Sequence, residues 1–91
     1  MNADIEITAE AIARALEDAL QPTILDVIDE SADHIGHVGS NGTGRGTHFR
    51  VSIGGPVFVG CSRVVQHRLV YDALREFTSS GLHALAIEIR T

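Results

Sequence analysis

The side chains of this chain that are best suited to chemistry are its histidines. There are five of them: His34, His37, His48, His67 and His83. The chain also contains a single cysteine, Cys61, and no lysine. Imidazole nitrogen is a good ligand for iron, zinc and copper, whereas a thiolate cage needs several cysteines. The chain can therefore hold a metal through imidazole, but it cannot provide a full set of sulfur ligands by itself.

The length of 91 residues predicts one domain over residues 1–91, with a flexible N-terminus at residues 1–7. A single cysteine excludes an intramolecular disulfide and fits a reducing compartment. The sequence shows no basic leader and no apolar run of about 20 residues. We therefore expect a soluble, cytoplasmic protein or the mature form of an organellar one, with no membrane partner and a monomeric free chain.

The distribution of charge disfavours one class of partner. The formal net charge is −5, and the acidic excess lies within residues 4–33. The seven arginines are spread along the chain, whereas sequence-independent binding of nucleic acid requires clustered positive charge. A local basic patch around Arg63 and Arg68 is compatible with this distribution.

The first third of the chain predicts a helix followed by a strand. Thr8 is a suitable N-cap, apolar residues then recur at helical spacing, and Pro22 disfavours helical geometry in the residue before it. These signals predict a helix over residues 8–20. Residues 23–30 are rich in β-branched side chains and predict a strand. Residues 31–46 contain five glycines and few apolar residues, which predicts a mobile loop.

The remainder of the chain predicts two more strands and a second helix. Residues 47–53 alternate, which places Phe49, Val51 and Ile53 on one side and the polar residues on the other. Ser62 can cap a helix that ends near residues 79–81, and residues 84–90 alternate again. The order is helix, strand, strand, helix, strand, with both helices on one face of the sheet. The predicted fold is an α+β two-layer sandwich.

Five short motifs resemble the BolA family. They are D-E-S-A-D-H after the first strand, T-H-F-R-V in the second, F-V-G and Q-H-R-L-V-Y around the second helix, and H-A-L-A-I at the third strand. The resemblance implies a fold like the class II KH domain, with a three-stranded sheet. It also implies a monothiol glutaredoxin as partner and a shared 2Fe-2S cluster, in iron-sulfur cluster trafficking, assembly or iron sensing. No cofactor is expected in the isolated chain.

The resemblance also implies which residues bind the cluster. His83 matches the C-terminal ligand of the family and His34 matches the ligand in the loop, with His37 as the alternate to His34. A 2Fe-2S cluster has four ligands, and imidazole can replace thiolate on one iron. The remaining sulfur ligands would come from a glutaredoxin cysteine and glutathione.

The second helix carries the candidate residues for partner binding, Arg63, His67 and Arg68. His67 lies at the edge of the predicted buried face, where a structural role competes with ligation and is favoured over it. Arg68 points outward, as a partner contact or a solvated charge. Gln66 stands where the family usually has arginine, which weakens a positive patch on this helix.

Two other residues have a chemical and a structural interpretation. Cys61 precedes the second helix and is interpreted as incidental, because the family motif does not require cysteine there. His48 is expected on the open face of the sheet, either as a donor that supports the ligands or, more commonly, as a solvated histidine.

Three other functions compete with this cluster-binding role, and the first of them is implied by the same resemblance. The first is a KH-like nucleic-acid-binding transcription regulator of stress response and cell morphology, which the net acidity and the lack of a G-x-x-G loop disfavour. The second is a zinc site that uses His34, His37 and His83. Enzymatic activity is not expected, since Ser62 and His67 are five positions apart and lie on different faces of a helix.

Overall fold

The computed structural model describes residues 7–30, 48–82 and 84–90. The elements are α1 (Ala9–Leu20), β1 (Ile24–Asp29), β2 (His48–Gly54), a 3-10 turn (Pro56–Phe58), α2 (Arg63–Ala73), α3 (Arg75–Ser80) and β3 (Ala84–Ile89). The predicted order of elements and the α+β class are confirmed. Residues 1–6 and 31–47, which include most of the predicted N-terminal tail and loop, lie outside the described residues.

Helix α1 follows the sequence signals closely. The side chain of Thr8 accepts a hydrogen bond from the N–H of Ala11 at 3.0 Å, which caps the first turn. The helix ends at Gln21, which has left-handed backbone angles and precedes Pro22. The large side chains of its apolar stripe are buried in the core, as the periodicity predicts, whereas Ala19 of the same stripe is exposed. The buried residues are Ile12, Leu16 and Leu20.

The sheet has the strand order β1-β2-β3, so β2 lies in the centre. Strands β1 and β2 are antiparallel, whereas β2 and β3 are parallel. A parallel pair requires a crossover connection, and the segment with α2 and α3 provides it. Phe49, Val51 and Ile53 of β2 are buried beneath the helices, which confirms their predicted orientation.

The predicted second helix is divided into α2 and α3. The backbone leaves helical geometry at Leu74, which has φ −107° and ψ 20°. Val70, Leu74 and Phe77 are nevertheless all buried in the core. Their spacing fits one continuous helix as well as two short ones, which is why the apolar pattern did not locate the break.

The open face of the sheet is less solvated than the alternation suggested. His48 is only 8% exposed and Ser52 only 5% exposed, so the expectation of a solvated His48 is wrong. Both residues lie on the central strand, where β1 and β3 flank them on either side. The hydroxyl of Ser52 donates to Glu88 at 2.7 Å, and this bond lowers the pKa of the Glu88 carboxyl.

A salt bridge lies beside these residues on the same face. The Nε of Arg50 donates to Glu30 at 2.9 Å, and this hydrogen bond raises the pKa of Arg50 above its ordinary value. On the central strand, Arg50 and Ser52 are therefore both paired with carboxylates on the open face, whereas Ile24 and Ile28 of β1 are exposed there.

Ile53 and Gly54 together bind both neighbouring segments at one end of the central strand. The carbonyl of Gly54 accepts a hydrogen bond from the N–H of Thr23 at 2.8 Å. The N–H of Arg90 donates to the neighbouring Ile53 carbonyl, also at 2.8 Å. A Cβ atom at Gly54 would collide with the Arg90 carbonyl, so this position requires glycine.

The start of the described chain is held by the core. Ile7 packs against the edge of the core, although it belongs to the predicted flexible N-terminus. None of the helices in the described parts of the chain has the length and apolar character required to cross a bilayer.

Candidate functional site

The predicted cluster ligands His34, His37 and His83 all lie outside the described residues. The described residues that border the segments carrying these histidines meet at one end of the sheet. The N–H of Glu30, which precedes the loop, donates to the carbonyl of His48 at 2.8 Å. His48 is in turn paired with Ala84, the residue that follows His83. The fold therefore brings the attachment points of both ligand-bearing segments to neighbouring strands.

The free thiol of the chain lies at the opposite end of the sheet. The Sγ atom of Cys61 lies 3.5 Å from the carbonyl of Val57, shortly after the last residue of β2. A strand of seven residues spans about 20 Å, so the length of β2 separates this thiol from His48. Within residues 7–30, 48–82 and 84–90, no group of three or more His, Cys, Asp or Glu side chains is placed to hold a metal ion.

The predicted partner-binding residues lie together on the exposed side of α2. Ser62 caps this helix by accepting a hydrogen bond from the N–H of Val65 at 3.2 Å. A shallow depression on the surface of the helix, called here the α2 patch, is lined by Arg63, Val64, His67, Arg68 and Tyr71. The structure therefore brings Arg63, His67 and Arg68 onto one surface, as their helical spacing indicates.

The α2 patch continues into a groove between this helix and the third strand. The α2–β3 groove is lined by Arg63, Gln66, His67, Ile87, Glu88 and Ile89. Arg63 and His67 line both features. His67 is half-buried there and has no hydrogen-bond partner among the described residues. The half-burial agrees with the predicted position of His67 at the edge of the buried face.

The charge of this surface differs from that of the whole chain. Among the described arginines, Arg50, Arg75 and Arg90 form ion pairs with carboxylates. Arg63 and Arg68 have no ion-pair partner within the described ranges, and the α2 patch has no acidic lining residue. Glu88 is the acid that lines the α2–β3 groove, and it is bonded to Ser52 and lies 3.7 Å from Arg90. An acidic chain therefore presents a locally cationic surface.

Two residues at this surface were missed by sequence reasoning. The Nε2 of Gln66 donates to the carbonyl of Phe58 at 3.0 Å, so the residue that replaces the usual arginine ties α2 to the 3-10 turn. The hydroxyl of Tyr71 donates to the carbonyl of Leu85 at 3.4 Å and joins α2 to β3. Tyr71 lies four positions after His67, and an exposed aromatic residue in that row was the signal available.

Comparison with known proteins gives a consistent result. The family model described as BolA-like protein matches residues 16–91. An uncharacterised protein from Sinorhizobium is 46% identical over 80 residues, which cover 87% of this chain and 85% of that protein. The chloroplastic protein BOLA1 of Arabidopsis thaliana is 43% identical over 88 residues, which cover 96% of this chain and only 55% of that protein. The chain thus spans about half of some relatives.

A solved structure confirms the fold. The BolA domain of SufE1 from Arabidopsis thaliana superposes with a TM-score of 0.81 and 39% sequence identity. The match covers 97% of this chain and 95% of that domain. The predicted sheet of three strands with helices is therefore the fold of known members.

Proposed function

We propose a function from one established premise: the chain belongs to the BolA-like family. The protein acts as a non-enzymatic adaptor that binds a monothiol glutaredoxin and shares a 2Fe-2S cluster with it. Its role is in the trafficking or assembly of iron-sulfur clusters, or in iron sensing. His83 provides one imidazole ligand, and His34, or His37 in its place, provides the other.

The observation that carries this proposal is the pairing of His48 with Ala84, next to the hydrogen bond between Glu30 and His48. Two segments that carry histidine begin or end at this point. Imidazole can replace thiolate on an iron of a 2Fe-2S cluster, and histidines from two different segments can bind one cluster only where those segments lie close together. The described strands support such an arrangement. His48 follows the segment that carries His34 and His37, Ala84 follows His83, and these two residues are paired on neighbouring strands.

The position of Cys61 supports an external source of sulfur. Its thiol lies beyond the far end of β2, next to Val57. A cluster at the His48 end would therefore take its thiolates from a glutaredoxin cysteine and from glutathione. When bound, the cluster supplies a redox-active iron centre that can be passed on, while this chain supplies nitrogen ligands and a docking surface.

Reconstitution tests the proposal directly. The chain is mixed anaerobically with a monothiol glutaredoxin, glutathione, iron and sulfide, and the expected product is a heterodimer with one 2Fe-2S cluster. Its visible circular dichroism should differ from that of the glutaredoxin homodimer. His83→Ala should change this spectrum, and only one of His34→Ala and His37→Ala should do so.

His67→Ala is the matched control, because this histidine lies on α2 in the partner-facing groove. It should leave the visible spectrum unchanged even where it weakens the complex. An unchanged spectrum in His83→Ala would contradict the ligand assignment. Zinc analysis of the purified chain separates the proposal from a mononuclear zinc site.

One observation favours the nucleic-acid-binding alternative, namely that Arg63 and Arg68 have no ion-pair partner among the residues that the structure describes. The three ion-paired arginines count against it, because phosphate binding draws on free positive charge. A fluorescence-anisotropy titration at physiological salt decides the matter. Tight, sequence-selective binding of DNA would reverse the ranking of the two functions.

A further inference from the structure

The outer edge of β3 presents backbone groups that no described strand covers. β3 pairs with β2 on one side only. The N–H of Arg90 points to β2, since it donates to Ile53 at 2.8 Å. Backbone groups of successive residues in a strand point to opposite sides, so those of Ile87 and Ile89 point away from β2. An edge of this kind is a template for another strand.

The hydrogen bond of Tyr71 confirms the direction of these backbone groups and occupies one end of the outer edge of β3. Its hydroxyl donates to the carbonyl of Leu85, and the backbone groups of Leu85 point to the same side of β3 as those of Ile87. From Tyr71, the helix runs back along β3 to Arg63, which lines the groove together with Ile87 and Ile89. The outer edge of β3 is therefore one wall of the α2–β3 groove.

The side chains around the groove combine apolar surface with positive charge, and the acid that lines it, Glu88, is bonded to Ser52 and lies 3.7 Å from Arg90. Ile87 and Ile89 are half-buried, and Val64 of the neighbouring α2 patch is 66% exposed. Arg63 and Arg68 have no carboxylate partner in the described part of the chain. An extended segment with carboxylate side chains would meet both features, with its backbone on the strand edge and its charges on the arginines.

We propose that the α2–β3 groove binds an extended acidic segment of the glutaredoxin partner, which pairs with the outer edge of β3 as a fourth strand. The inference rests on the proposed function, because it assigns a binding mode to the same partner. Ile87 and Ile89 donate their N–H groups and accept through their carbonyls. Arg63 and Arg68 bind the carboxylates of the segment, and Tyr71 sets the point where pairing stops.

Hydrogen exchange at single amides tests the strand pairing. Exchange is followed by mass spectrometry in the free chain and in its cluster-bridged complex with a monothiol glutaredoxin and glutathione. The amides of Ile87 and Ile89 should exchange about tenfold more slowly, or slower still, in the complex. Those of Ala86 and Glu88 should change little, because they already face β2. This alternation separates strand pairing from simple coverage of the surface.

Charge reversal tests the identity of the segment. Arg63→Glu should weaken the complex by about tenfold or more, because it places like charges together. A glutamate in the first turn of a helix is favourable, so the variant should fold. Arg14→Glu is the matched control, since Arg14 is exposed on α1 and also lacks an ion pair in the described ranges. It should leave the affinity within about twofold.

The possible results separate the two proposals. A cluster-bridged complex with unchanged or uniform protection along β3 would refute the groove inference and leave the proposed function intact. Failure to form any cluster-bridged heterodimer would refute both. Protection of Ile87 and Ile89 by a single-stranded oligothymidylate at physiological salt, and not by the glutaredoxin, would assign the groove to nucleic acid. Protection that grows with the concentration of the free chain would assign it to a second copy.

Discussion

The two edges of the sheet carry opposite charge. Beside β1, a groove against α1 is lined by three acidic residues, Glu10, Glu17 and Asp26. Near β3, the α2 patch contains Arg63, His67 and Arg68 and no acid, and the acid that lines the adjoining α2–β3 groove, Glu88, is bonded to Ser52 and lies 3.7 Å from Arg90. The net charge of −5 conceals this division. An acidic partner would be repelled at one edge and attracted at the other, so the arrangement selects a docking edge as well as a partner.

The two edges also differ in how their helices are anchored. Helix α1 buries three large apolar side chains in the core, whereas Val70 is the only fully buried residue of α2. Val64, Val65 and Tyr71 of α2 remain exposed. Exposed apolar residues beside unpaired charges are a common feature of protein interfaces. The weaker anchoring of α2 thus accompanies the surface that we assign to the partner.

The largest expected effect tests this difference in anchoring. Leu16→Ala should destabilise the protein by about 2–5 kcal/mol, because it leaves a cavity in the core. Leu69→Ala makes the same change on α2, where the side chain is only partly buried, and should cost about 1 kcal/mol. Urea denaturation measures both. Equal costs would show that α2 is anchored as firmly as α1.

The second prediction concerns the attachment of β3. Gly54→Ala should destabilise the protein by about 1–3 kcal/mol, because the new methyl group collides with the carbonyl of Arg90. Hydrogen exchange should then accelerate at Arg90 more than in β1. Gly60→Ala is the comparison variant, since Gly60 has φ +80° and no neighbouring atom. Its cost should be about 1 kcal/mol, from backbone strain alone. The same acceleration in both variants would argue against the collision.

Local patterns in the sequence predicted most of the elements and the face of each that is buried. Thr8, Ser62 and Pro22 indicated where helices begin or end, and alternation in β2 indicated its core face. The division of the second helix at Leu74 was not predictable, because the apolar spacing is the same on either side of it. The burial of His48 and Ser52 depends on the central position of β2, which is a property of strand order.

In the candidate site too, the sequence predicted features within one element and missed those that depend on contacts between elements. Arg63, His67 and Arg68 were named from the sequence as candidates for partner binding, and helix α2 places them on one surface. The contribution of Ile87 and Ile89 depends on the parallel crossover that brings β3 beside α2. That juxtaposition joins residues about 20 positions apart in the sequence. Periodicity within one element carries no information about it.

A smaller effect is expected where Tyr71 closes the edge of β3. Tyr71→Phe removes the hydrogen bond to the Leu85 carbonyl, which is exposed and 3.4 Å long. The loss of stability should be at most about 0.5 kcal/mol. Ser79→Ala is a control of similar size, because its exposed hydroxyl donates to the carbonyl of Arg75. A clearly larger loss in Tyr71→Phe would mean that this bond helps to hold α2 on β3.

The smallest effect concerns the paired polar groups on the open face. The hydrogen bond from Ser52 lowers the pKa of Glu88 in the folded protein. A carboxyl with a lowered folded-state pKa stabilises the fold above its unfolded-state pKa, and this contribution is lost as the pH falls through the folded-state value. Ser52→Ala should therefore raise the pKa of Glu88 and reduce stability at neutral pH. The difference from the parent protein should narrow under acidic conditions.

Carbon-detected NMR of the Glu88 carboxyl measures the shift, and urea denaturation at several pH values measures the stability. Ser80→Ala, which changes an exposed serine of α3, should leave both quantities unchanged. An unchanged Glu88 titration in Ser52→Ala would mean that Arg90, 3.7 Å away, lowers the pKa instead. In that case the charge of Glu88 would be balanced from β3 itself, and Arg90→Gln should produce the shift that Ser52→Ala does not.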